Sequence, residues 1–121
     1  MGKWHGYYRP DGQVGARNYV LILSATVYAN SVVERVANTV EGTIPITHHL
    51  GRCQTMSDLK MTFDILCGMA KNPNVGAVVI VDHFREAYCN IDEMSEEISK
   101  SGKPVEAVNI REVGGALNAT A

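Results

Sequence analysis

Three of the four histidines in this 121-residue chain stand in polar stretches that also carry arginines and carboxylates. His48 and His49 are followed by Arg52, Cys53 and Gln54, and Asp82 and His83 by Arg85 and Glu86. Two further groups are Thr26, Tyr28 and Asn30, and Arg111, Glu112, Gly114 and Gly115. Two chemistries suit these residue types. His48 or His49 with His83, and an oxygen from Asp82 or Glu86, form the two-histidine, one-carboxylate set that suits ferrous iron or a similar divalent ion. Arg52 and Arg85 suit bidentate capture of a carboxylate or phosphate. Helix N-termini near Asn30 and Gly115 would favour the same anion. Ordinary solvated loops carry such residues too, so both chemistries stay open at this level.

These groups must be positioned by regular elements, and the apolar pattern supplies them. Asn18 to Ala25 and Val75 to Val81 are nearly continuous apolar runs, as in strands buried on both faces of a parallel sheet. Thr43 to Thr47 and Val105 to Ile110 are further strands. Ser31 with Glu34 has capping-box spacing ahead of Val32, Val33, Val36, Ala37 and Val40, with Gly42 as a stop. Ser57 is a candidate cap for a second helix with the stripe Leu59, Phe63, Leu66 and Ala70, closed by Asn72-Pro73. Asn90 with Glu93 opens a third, carrying Ile91, Met94 and Ile98 and ending at Gly102. Residues 1–17, with the turn signal Pro10-Asp11-Gly12, read as a polar arm or hairpin. Residues 18–121 read as one α/β domain: a Rossmann-like, flavodoxin-like three-layer fold around a parallel sheet of about four strands. All four polar groups then follow strands, where such sheets bind ligands. A helix pattern opens at Gly114-Gly115 without a finish by Ala121, which leads to the expectation of a piece of a larger enzyme.

Composition narrows the class. A net charge of −2 lacks the basic excess of a nucleic-acid binder. The longest apolar runs fall far short of the roughly 20 residues of a membrane helix. The opening is polar and glycine-containing, unlike a signal peptide. Cys53, Cys67 and Cys89 form no C-x-x-C pair, so a zinc site has little support and reduced thiols in a cytoplasmic protein are expected. Cys67, inside an apolar helix pattern, reads as core.

Several segments in order resemble the second domain of altronate and D-galactarate dehydratases. They are the run from Gly6 to Val20, the loop around His48, Asn72-Pro73-Asn74-Val75-Gly76-Ala77-Val78, Gly102-Lys103-Pro104-Val105 and Glu112-Val113-Gly114-Gly115. The resemblance implies a sugar-acid hydro-lyase lineage that is iron-dependent and removes water from a small hydroxy acid. It implies longer relatives with a domain on either side, and related sulfo-lyases that divide similar parts between subunits. The family often places a cysteine after each of the first three strands. Here those places hold Tyr28, Arg52 and Arg85, while the neighbouring Asn30, His48, Gly51 and Glu86 match. The expected assignments are His48, His83 and Glu86 as catalytic groups, and Asn30, Arg52 and Arg85 as substrate-binding groups. His48, His83 and Asp82 are the expected ligands of a divalent metal, iron by family resemblance. Arg9, Asp11 and Arg17 are read either as contacts to substrate or a neighbouring domain, or as turn residues. Expected partners are a small carboxylate substrate, further domains or a second subunit, and a second copy of the chain. The rival expectation is a non-catalytic anion-binding or assembly module that has lost the family's metal-binding cysteines.

Overall fold

The structure is a computed structural model that describes residues 3, 5–50, 54–83 and 91–121. It opens with a hairpin of β1 (Tyr7–Tyr8) and β2 (Val14–Gly15). Next come β3 (Tyr19–Ser24), a 3-10 turn at Val27–Ala29, α1 (Asn30–Thr39) and β4 (Thr43–Ile46). Then follow α2 (Met56–Ala70), β5 (Val75–Asp82), α3 (Ile91–Ser99), β6 (Val105–Asn109) and the short α4 (Ala116–Thr120). The last four strands form one parallel sheet in the order β4-β3-β5-β6.

Alternation along the strands builds two cores. Leu21 and Leu23 pair in register with Val78 and Ile80 on one side and with Ile44 and Ile46 on the other. Together they cover the face against Leu66, Ala70, Met94 and Ile98 of α2 and α3. Ile22 and Val81 point to the opposite face, against Val32 and Val33 of α1 and Ala116 and Ala119 of α4. The result is three layers with α1 and α4 on one side and α2 and α3 on the other. Cys67 lies in the first core and is buried. Among the described residues no helix is long and apolar enough to cross a membrane.

Two helix caps differ from expectation. Ser31 lies inside α1, whose N-cap is Ala29 without a side-chain cap bond, because the 3-10 turn feeds directly into the helix. Thr55, not Ser57, caps α2 by accepting the Asp58 N–H at 3.4 Å. Asn90, the expected third cap, lies outside the described residues.

The hairpin is bolted to the amino-terminal edge of the sheet. Arg9 Nε donates to the Pro73 carbonyl at 2.6 Å, and its terminal nitrogens donate to Asn18 Oδ1 and the Arg17 carbonyl, both at 2.9 Å. Asn74 Oδ1 accepts from the Ala16 and Arg17 N–H groups. Asp11 Oδ1 accepts from the Gln13 N–H inside the turn, where Gly12 has φ +88°. Arg9 and Asp11 therefore act as clamp and turn residues, at the end of the sheet opposite the polar loops.

Lys103 belongs to the same edge. Its buried ammonium donates to the Ala70 carbonyl at 2.9 Å and the Asn72 carbonyl at 2.5 Å, closing the C-terminus of α2. Burial pushes its pKa down to about 8, the nearby Arg9 charge pushes the same way, and Asp11 opposes them. An unfolded chain keeps this proton up to about pH 10.5, so between pH 8 and 10.5 the unfolded state binds more protons and stability rises with pH. Thermal melts across that window are expected to show wild type gaining several degrees relative to Lys103→Met. Parallel pH profiles for the two proteins would contradict the assignment.

Candidate functional site

The carboxyl ends of β3, β4, β5 and β6 bring described residues of all four polar groups to one edge. Here the helices diverge, because α1 packs on one face and α2 and α3 on the other. Loops that leave adjacent strands in opposite directions open a crevice between them.

At the centre is Asp82, 1% exposed at the end of β5. Its Oδ1 accepts from Thr26 Oγ1 at 2.9 Å and from the His83 N–H at 2.7 Å. Thr26 and Ser24 are themselves buried, and Ser24 Oγ donates to the Thr26 carbonyl at 2.6 Å. The Ile110 N–H donates to the Asp82 carbonyl at 2.8 Å and the Arg111 N–H to the His83 carbonyl at 3.1 Å. Asp82 thus ties the loops after β3, β5 and β6 into one frame. Asn109 is its register partner, is buried, and accepts the Glu112 N–H on Oδ1 at 3.1 Å.

His83 stands on that frame with its side chain exposed. Its ring lies 5.8 Å from the Tyr28 ring at an interplanar angle of 44°. Both rings line a cleft of about 640 Å³ with Ser31, Arg111 and the Gly114-Gly115 turn.

His48 has a different task. Its Nε2 lies 2.8 Å from the Ser24 carbonyl and its Nδ1 accepts the Leu50 N–H at 3.0 Å. Nε2 can meet a carbonyl only as a donor, so both nitrogens are committed to backbone. Asn30 Nδ2 donates to the His48 carbonyl at 2.7 Å, and the Val27 N–H to the Leu50 carbonyl at 3.1 Å. His48 and Asn30 brace the loop after β4 against the loop after β3. His48 lines a second, largely apolar groove of about 260 Å³ beside α2, not the cleft that holds His83. His49 is exposed.

The expected metal set of His48, His83 and Asp82 does not converge in this arrangement. Neither nitrogen of His48 has a lone pair to offer, and Asp82 Oδ1 accepts two hydrogen bonds. Among the described residues no three His, Cys, Asp or Glu side chains gather where they could hold a metal ion. The described residues do not fit the iron that the resemblance implies. Arg52, Arg85, Glu86, Cys53 and Cys89, the other candidates named from sequence, lie outside the described residues.

Thr26, Asn109 and Arg111 join the edge without having been assigned a role from sequence. The signal was present, since each lies at or within two residues of the end of a strand. What was missing was the pairing, because Thr26 and Asp82 are 56 positions apart.

Comparison with known proteins agrees with the motif series. The family model for the second domain of D-galactarate dehydratase/altronate hydrolase matches residues 6–121. The chain is 37% identical over 109 residues to the (2R)-sulfolactate sulfo-lyase subunit beta of Chromohalobacter salexigens, covering 90% of this chain and 27% of that protein. It therefore spans about a quarter of the length of this relative. No solved structure matches the chain significantly. With a family match over nearly its whole length, the chain belongs to the D-galactarate dehydratase/altronate hydrolase family and carries its second domain.

Proposed function

We propose that this chain gives a carbon–oxygen or carbon–sulfur lyase the sheet edge on which a small 2-hydroxy acid is held and deprotonated. Sugar-acid dehydration and sulfolactate cleavage follow the same bond changes. A base takes the proton from C2, beside the carboxylate. The freed electron pair forms the C2–C3 double bond, and hydroxide or sulfite leaves C3 with its own pair. The resulting enol becomes a 2-keto acid. His83 is the proposed base, because an imidazole nitrogen can take a proton, the ring lines the cleft and its backbone is fixed by Asp82. His48 and Asn30 hold the neighbouring loop.

The observation that carries this reading is the Asp82 frame, which fixes His83 beside Tyr28 and Arg111 at the carboxyl edge. The strand order also supports the flavodoxin-like winding expected from sequence. The cleft is open on its outer side, and Met61, Ile65 and Met69 form an exposed apolar stripe on α2. Both features support a site completed by another domain or subunit, as does the relative's being one subunit of its enzyme.

The test uses protein purified from its own cells with any bound subunit. It is incubated with galactarate, altronate or (2R)-sulfolactate, and 2-keto acid is followed by semicarbazone absorbance. Product from one of the three is expected. Silence with all three overturns the reading in favour of a non-catalytic anion-binding or assembly module.

A further inference from the structure

We propose that the cleft walled by Tyr28, Ser31 and Arg111 is an oxoanion subsite, in which Arg111 grips a carboxylate or sulfonate of the ligand. This assignment rests on the hydroxy-acid reading above and names the group that would anchor such a substrate. Arg111 follows β6 by two residues, and its N–H is bonded to the His83 carbonyl at 3.1 Å, so the two side chains start from laced backbones. Its guanidinium makes no hydrogen bond or ion pair with any described residue. Five donors in a planar fork, set at a cleft with no described carboxylate lining it, match the two oxygens of a carboxylate or sulfonate. Ser31 adds a hydroxyl group that can take a remaining oxygen or a substrate hydroxyl, and the Tyr28 ring walls the cleft. The far wall is the Gly114-Gly115 turn, with φ of +94° and +118°, where backbone alone faces the opening. A volume of about 640 Å³ admits a six-carbon diacid. The anchor lies beside the proposed base, so a carboxylate gripped there brings its C2 proton towards His83.

The test is an amide-resolved NMR titration of the full chain with four probes. Galactarate and isethionate carry the carboxylate and the sulfonate, inorganic phosphate carries neither, and galactitol is the uncharged polyol. Galactarate, isethionate or both are expected to shift the amides of His83, Arg111 and Gly115, and galactitol to leave them in place. Arg111→Ala should raise the Kd of the bound probe at least about tenfold, the worth of a charge-assisted pair, and Arg111→Lys should recover part of it. Retained spectral dispersion shows that both variants fold. Unchanged affinity in Arg111→Ala, equal shifts with galactitol, or shifts only elsewhere on the chain overturn the subsite. Binding of phosphate alone reassigns the cleft and overturns it equally. Galactarate held by Arg111 in a protein that eliminates nothing defeats the lyase reading and leaves the subsite. An elimination whose KM ignores Arg111→Ala defeats the subsite and leaves the lyase.

Discussion

Gly15→Ala is expected to destabilise the protein by about 3 kcal/mol, a large effect for the addition of one methyl group. A Cβ at this position would stand 2.0 Å from the Pro73 carbonyl oxygen and 2.6 Å from its carbon. Both are backbone atoms, so no rotamer change relieves the overlap, and the hairpin must lift from the sheet. Lifting it breaks the Arg9 bond to Pro73 and the two N–H bonds to Asn74 Oδ1. Gly68→Ala is the internal control. It lies in α2 with open space around a new Cβ, and replacing a helical glycine there should stabilise by about 0.5–1 kcal/mol. Urea unfolding of the two variants reads both signs. A Gly15→Ala protein with a wild-type midpoint would show that the hairpin does not dock as described.

The sequence pattern was enough to place four strands, three helices and the turn at Gly12, because each leaves a local trace. Continuous apolar runs mark the strands, and of the expected α2 stripe Leu66 and Ala70 are buried in the core with Phe63 partly buried against them, while Leu59 is half-exposed. Helix starts were less legible. Thr55 and Ser57 both suit a cap by residue type, and the structure starts α2 at Met56 with Thr55 as its cap and Ser57 already inside the helix. At α1 the capping-box spacing of Ser31 and Glu34 was overridden by the 3-10 turn and by Asn30, whose side chain reaches to His48.

The edge that gathers the polar loops was legible, and the contacts each residue makes there were not. The rule that ligands gather at the carboxyl ends of parallel strands selected the edge where the Asp82 frame and the His83 cleft lie. It could not show that His48 spends both nitrogens on backbone, since one acceptor, the Ser24 carbonyl, is 24 positions away. Nor could it separate Arg9 from Arg111. Both are arginines in conspicuous polar motifs, but Arg9 is held at the amino-terminal edge through Pro73, 64 positions on. Long-range partners divide clamps from candidate ligand groups here, and no local spacing encodes them.

The division leads to the second large effect. His83 is mounted on a frame whose bonds run through backbone and Asp82, so its ring can be changed without dismantling the fold. Arg9 is the reverse, a side chain with three hydrogen bonds to structure and none to the carboxyl edge. Removing a general base costs about 10²- to 10⁴-fold in rate, whereas removing a charged clamp acts on stability by about 2 kcal/mol. The most direct test is therefore a side-by-side comparison of His83→Gln and Arg9→Gln in the active assembly, with kcat and the unfolding midpoint measured for each. His83→Gln should lose at least about a hundredfold in kcat with a near wild-type midpoint. Arg9→Gln should lower the midpoint and leave the kcat of the folded protein unchanged. Wild-type turnover in His83→Gln, or lost turnover in a stable Arg9→Gln, would contradict the assignment of the carboxyl edge as the working face of this domain.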